Sequence, residues 1–208
     1  MSELSLAYGA SDVEVTTQET VFQGYFRVDA LTLRHKRFDG SWTQSIRREL
    51  FQRGDAVAVL PWDVKEDRIV LIEQFRPGAI RGADSSWMLE AVAGVVEDGE
   101  SDEAVAHREA AEEAGCTMDL LLPITSYYPS PGACSEQIRL FIGRLTSSAV
   151  GEVRGVETEN EDILVHSVTR TQAITLLDAG KINNGLTIIA LHWLARHGDR
   201  LRSDWLSE

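Results

Sequence analysis

Residues 94–116 read GVVEDGESDEAVAHREAAEEAGC, and this stretch decides the fold. From Ser101 onward, small and apolar residues recur at helical spacing: Ala104, Val105, Ala106, Ala110, Ala111 and Ala114. Ser101 has the chemistry of an N-cap. Asp102 and Glu103 fill the first turn, where the helix dipole favours acid. Gly115 falls at the position of a helix-terminating glycine. A helix over 101–114 puts Glu109 and Glu113 four residues apart on one face, with Glu112 beside them. Three carboxylates on one patch repel each other unless a cation lies among them. Donors that are all oxygen suit Mg2+ or Mn2+ rather than zinc, and Mg2+ sites keep positions open for phosphate oxygens. The competing reading is a solvated acidic face on which Arg108 pairs with Glu112 at i+4.

Working outward, 55–61 (DAVAVLP) and 68–75 (RIVLIEQF) are short apolar runs separated by WDVKED, the pattern of two buried neighbouring strands. A Gly- and Ser-rich loop follows, and WMLEAVAG (87–94) predicts one strand ending at a glycine. Beyond the helix, strands are expected near 120–128 and 136–145, joined by PSPGACS, and again at 163–168 (ILVHSV) after an acidic loop at 147–162. A helix is expected from Thr169 to about Ala179, with Gly180 as its stop, and a last one from Leu186 to Arg196. Upstream, 20–51 is rich in β-branched and aromatic residues, with a hairpin turn at Asp39-Gly40. It predicts an antiparallel meander, with strands near 24–38 and 42–51, too thin to hold a core alone. The class is α+β, or a layered α/β/α sandwich, with a small domain at 1–53 and a larger one at 54–208.

The chain has 208 residues, 43% of them hydrophobic and 25% charged, the balance of a globular protein. No apolar run reaches the roughly 18 residues of a membrane span. Met1 to Ala10 lacks the basic and apolar regions of a signal peptide, so a cytoplasmic location is expected. Cys116 and Cys134 are too few for a disulfide framework. Asp and Glu number 33 against 20 Lys and Arg, a net charge of −13, which argues against nucleic acid or anionic membranes as partners. Most of that acid is local. Residues 97–113 carry a net −7 and residues 157–162 a net −4.

Counting from Gly94, Glu100 comes six residues on, Arg108-Glu109 eight further, then Glu112-Glu113 and Gly115. This matches G-x5-E-x7-R-E-U-x-E-E-x-G-U, the Nudix box, at every fixed position, with Ala110 and Cys116 as small occupants of apolar (U) positions. The chain therefore resembles the Nudix hydrolases. That resemblance implies a loop–helix–loop on an α/β/α sandwich with a mixed sheet. It implies Glu109 and Glu113 as metal ligands, Glu112 as a ligand or a partner of bound water, and the Ala93 carbonyl completing the shell. Arg108 and Glu100 orient the loop and helix. The cofactor implied is Mg2+, with Mn2+ as a substitute.

SPGACSE at 130–136, with RRELFQRGDAVAVLPWD, VLIEQFRPG, ENEDILVHSV and GKINNGLTIIALHWL, is similar to bacterial ADP-ribose pyrophosphatases over roughly residues 15–205. The implied reaction cleaves ADP-ribose, a small nucleotide sugar, to AMP and ribose 5-phosphate. Arg76, at a strand end, clamps the diphosphate with its planar fork. Arg47 or Arg48 reaches the ligand, or both line a solvated strand edge. Tyr25 or Phe26 stacks on adenine, or packs. Glu136 accepts from ribose hydroxyls, while Pro131 and Gly132 shape the loop there. A glutamate of the acidic loop activates water: Glu159, with Glu161 as the alternative. The resemblance also implies a homodimer that exchanges its N-terminal meander. Two alternatives stand beside this: hydrolysis of GDP-mannose or NADH, and a non-catalytic ligand sensor, which an intact box and the net charge disfavour.

Overall fold

A computed structural model of the chain describes residues 5–82, 85–148, 150–156, 158 and 160–208. They form two compact units: residues up to Gly54 together with Tyr128–Glu136, and Asp55–Tyr127 together with Gln137–Glu208.

The larger unit is built on an eight-stranded mixed sheet. In β4 (Ala56–Asp63), Val57 and Val59 face one side while Ala58, Leu60 and Trp62 face the other, and all five are buried. The same two-sided burial holds in β5 (Arg68–Phe75), where Ile69 and Leu71 join one core and Val70 and Ile72 the other. A strand buried on both faces has to be covered twice. On one side lies α1 (Asp102–Ala114), which contributes Val105, Ala106, Ala110 and Ala114. On the other lie α2 (Arg170–Asp178) and α3 (Gly185–Leu206), which contribute Ala173, Ala190, Leu191, Leu194 and Trp205. The result is the α/β/α sandwich, with Val105 and Leu194 in opposite cores.

The sheet splits where the site lies. β4 and β5 pair only at their shared turn, Trp62 opposite Ile69 and Asp63 opposite Arg68. Further on they diverge, and β6 (Trp87–Glu90) pairs with β5 while β7 (Val92–Val95) pairs with β4. The single strand expected at 87–94 is thus two, divided at Ala91, because its two halves serve different neighbours. β8 (Thr117–Tyr127) and β9 (Ile138–Ser147) are antiparallel, and β9 runs parallel to β4. At the opposite edge the short β10 (Val153–Arg154) pairs with β11 (Ile163–Thr169), which pairs with β5.

α3 continues ten residues past the Arg196 expected from the sequence. The charged run RHGDR hides this continuation, but Leu201 and Trp205 carry the apolar stripe onward, and the Trp205 ring lies 5.9 Å from that of Trp62. α2 begins with a full capping box, Thr169 and Gln172 satisfying each other's backbone N–H. Although α3 has 22 residues, no helix among the described residues is long and apolar enough to cross a membrane.

The smaller unit is a three-stranded antiparallel sheet of β1 (Val13–Gln23), β2 (Arg27–His35) and β3 (Ile46–Gln52). β1 was not expected as a separate strand: it is exposed over its whole length, so no burial alternation marks it. A buried Asp29 fixes the register. Its carboxylate accepts from Gln18, Thr20 and Gln52 and pairs with Arg27. The segment 128–136 docks on β3: Phe51 donates to the Ala133 carbonyl, Ser135 donates back to Phe51, and the Ser135 hydroxyl bonds Gln52.

Candidate active site

The acidic site in the larger unit begins with β7 and α1. Val96 donates to the Asp55 carbonyl, so residues 92, 94 and 96 address β4, and 93 and 95 turn both backbone polar groups to the opposite edge. On that edge the Ala93 N–H donates to Glu113 Oε2 at 3.1 Å, and the Val95 carbonyl accepts from Arg108 at 3.4 Å. The Ala93 carbonyl leaves on the same edge. α1 starts and stops where the sequence places it: Ser101 accepts from the Ala104 N–H, and Gly115 closes the helix.

Gly94 is required by contact. A Cβ there would lie 1.7 Å from Glu109 Oε1, so only glycine lets this carboxylate lie against the strand. Arg108 organises the rest. It grips Glu100 through Nε at 3.0 Å and Nη2 at 2.8 Å, and reaches Glu109 at 2.6 Å and Glu112 at 3.4 Å. A planar fork on a carboxylate fixes geometry as well as charge, so Arg108 ties the loop at Glu100 to the acidic face of α1.

Glu113 is only 3% exposed, and burial pushes its carboxyl up to about 8, opposed by the Ala93 N–H and Arg76 and reinforced by Glu109 and Glu161. Burial also raises Glu109, with Arg108 opposing and Glu112 and Glu161 adding. Buried carboxylates held toward the neutral form gain most from a nearby cation. Among the described residues no three His, Cys, Asp or Glu side chains already form a finished ion cage. The donor chemistry nevertheless fits a hard divalent ion: buried Glu113, half-buried Glu109, Glu112 beside them, and a backbone carbonyl on the same edge.

Two further groups face this patch. Glu161 reaches both Glu109 and Glu113 electrostatically, and its own carboxylate is held by the Val156 N–H at 3.0 Å. Gly155, at φ +106°, lets the chain turn there, where a Cβ would meet Glu161 Cβ at 2.6 Å. Arg76 sits at the end of β5 and feels Glu113. Glu159 lies outside the described residues.

The remaining expected ligand contacts all belong to the smaller unit. Tyr25 is 95% exposed at the β1–β2 turn and packs edge-on to Phe26, 4.8 Å between ring centres. Arg47 pairs with Glu49 and Glu19, while Arg48 donates to the Arg47 carbonyl. Pro131 and Gly132 form the exposed turn of the 128–136 segment. Glu136 is buried and pairs with Arg53 at 3.4 Å.

Sequence reading missed Glu90. It lies in β6, is almost completely buried, and accepts from Arg76, Gln74 and Asn184. The available signal was a charge inside an apolar strand, since a buried charge needs partners.

The NUDIX domain pattern matches residues 52–185. An ADP-ribose pyrophosphatase of Escherichia coli (strain K12) is 42% identical over 202 residues, 97% of each chain. One of Haemophilus influenzae is 39% identical, over 99% of this chain and 95% of that one. A GDP-mannose pyrophosphatase of Escherichia coli O1:K1 is 29% identical over 88% of this chain and 94% of its own. In fold, a crystal structure of an ADP compounds hydrolase aligns with a TM-score of 0.67 at 20% identity, over 92% of this chain and 99% of that one. With the box intact on the helix that faces the split sheet, the chain belongs to the Nudix family.

Proposed function

We propose that this protein hydrolyses the diphosphate of ADP-ribose to AMP and ribose 5-phosphate with the help of Mg2+, for which Mn2+ can substitute. The observation that carries the reading is the pair of charge-frustrated carboxylates, buried Glu113 and half-buried Glu109, held against Ala93 and Gly94. Together with Glu112 and the Ala93 carbonyl, they are the groups that would hold the ion. A divalent cation supplies the charge that lets a diphosphate approach an acidic site and that offsets the leaving phosphate. Arg76 directs its fork to the diphosphate. Glu159 takes the proton of the attacking water, with Glu161 as the alternative base; the closeness of Glu161 to Glu109 and Glu113 keeps it in contention. Tyr25 or Phe26 stacks on the adenine, one of Arg47 and Arg48 reaches the ligand, Glu136 accepts from ribose hydroxyls, and Pro131 and Gly132 shape the loop around the terminal ribose.

The choice of ADP-ribose follows the relatives. Two that bear that substrate's name reach 39–42% identity over nearly the whole chain, and the one named for GDP-mannose reaches 29%. A panel of ADP-ribose, GDP-mannose and NADH with Mg2+, read by product chromatography, tests it. AMP from ADP-ribose, at the highest kcat/KM of the three, is expected, and a preference for GDP-mannose would overturn the choice. Glu159→Gln should lower kcat with little change in KM; if only Glu161→Gln does so, Glu161 is the base.

We further propose a homodimer in which the N-terminal sheet is exchanged. Support comes from β1, which presents Val13, Val15, Val21 and Phe22 to solvent, an apolar surface that a partner would cover. Light scattering should give twice the chain mass, and removal of residues 1–50 should give an inactive monomer. An active monomer would refute the exchange.

A further inference from the structure

Arg76 is not free to choose its orientation. Its Nε donates to Glu90 Oε2 at 2.9 Å, and its Nη2 lies 2.8 Å from the same oxygen. Glu90 is itself held from two other sides. Gln74 donates to Oε2 at 3.3 Å, and Asn184 donates to Oε1 at 2.8 Å. Asn184 is the N-cap of α3: it accepts from the Thr187 N–H and hydroxyl, and the Thr187 hydroxyl accepts from the Ala91 N–H next to Glu90. Glu90 is 3% exposed at its side chain, whereas Arg76 is 42% exposed. One end of the pair is thus anchored in the core at a helix start, and the other reaches solvent near Glu113.

A guanidinium carries five donors in a fixed plane. Glu90 engages the Nε–Nη2 side, which leaves the Nη1 end, together with the second Nη2 proton, pointing away from the anchor. That edge matches two oxygens of a phosphate. Without its anchor a half-exposed arginine close enough to influence Glu113 would be drawn toward that carboxylate.

We infer that Glu90 is a positioning residue, which holds Arg76 with its outer fork presented to the substrate's diphosphate and away from the acidic helix. The inference rests on the reading of the site as one that cleaves a nucleoside diphosphate linkage. The side chain of Asn184 belongs to the same device, joining the start of α3 to the orientation of Arg76.

The test is a double-mutant cycle of Glu90→Gln and Arg76→Ala, read in the affinity for inorganic pyrophosphate with Mg2+, with thermal unfolding recorded for each variant. Glu90→Gln keeps the volume but removes the negative charge and one of the two acceptor oxygens, so the single amide oxygen left cannot serve both Arg76 and Asn184. In the Arg76 background it should weaken pyrophosphate binding roughly ten-fold, the scale of a lost hydrogen bond to a charged group. In the Arg76→Ala background it should change it less than about two-fold. With ADP-ribose as substrate, Glu90→Gln should raise KM more than it lowers kcat. Equal weakening in both backgrounds, no weakening in either, or no measurable pyrophosphate binding to the wild type would overturn the inference. The functional reading is judged separately: if the wild type cleaves a different nucleoside diphosphate sugar, that reading falls while the pyrophosphate cycle still decides on Glu90.

Discussion

At the scale of residues, the site depends on close approach. Gly94 admits Glu109 where a methyl group would collide with it. Gly94→Ala should displace that carboxylate by about an ångström and lower kcat about a hundred-fold, with a small change in Tm; kinetics at saturating Mg2+ check this. The box residues were legible because their roles depend on spacing: Glu109 and Glu113 share a face in any helix, whatever surrounds it. Glu90 was not legible, because its partners Arg76 and Asn184 come from distant segments that only the fold brings together. Cys116 offers a test of burial. Its thiol is pushed from an ordinary 9.0 up to about 12 by burial alone. At pH 8 an alkylating reagent should label Cys134 first and Cys116 only on unfolding. Between about 9 and 12 the unfolded chain releases a proton that the folded chain keeps, so this group makes stability fall as pH rises. Urea midpoints across that range, compared with Cys116→Ala, would show the difference.

At the scale of elements, α1 could be read to within a residue because its cap, first-turn acids and terminal glycine all agree with its apolar spacing. α3 could not, because its far half is amphipathic with a charged, glycine-containing surface, and Leu201 and Trp205 show their purpose only against Trp62 and its neighbours. Trp205→Ala should therefore cost about 3 kcal/mol by loss of buried surface and the cavity left behind, read as a lower denaturation midpoint at unchanged slope. Activity per folded molecule should survive, since the start of α3 at Asn184 remains in place. β1 escaped notice for the opposite reason: an exposed strand has no pattern for the sequence to display. The break at Ala91 was equally hidden, because both halves of 87–95 are apolar and only their different partners separate them.

At the scale of the whole molecule, the charge is organised rather than spread. The segments 97–113 and 157–162 account for −11 of the −13, and Glu109, Glu113 and Glu161 from these two segments influence one another. Such repulsion weakens the fold, and a cation bound among these carboxylates would relieve it. MgCl2 at a hundred times its dissociation constant should stabilise the wild type by about 2.7 kcal/mol, seen as a rise in Tm that Glu113→Gln largely abolishes. An equal rise in Glu113→Gln would remove that residue from the ion's shell. Glu113→Gln should also lower kcat by several hundred-fold or more, since the ion supplies several kcal/mol to the transition state.

The smaller unit is assembled from two separate lengths of chain, the first ending at Gly54 and the second running from 128 to 136. Phe51 exchanges backbone hydrogen bonds with Ala133 and Ser135, some eighty residues later. During synthesis on a ribosome, which emits roughly 5–20 residues per second, the outer edge of β3 therefore waits for several seconds with its backbone groups unpaired. An open strand edge is a template for joining another chain. If the N-terminal sheet is exchanged as proposed, neighbouring nascent chains on one messenger would meet in that interval, each with an open edge to offer.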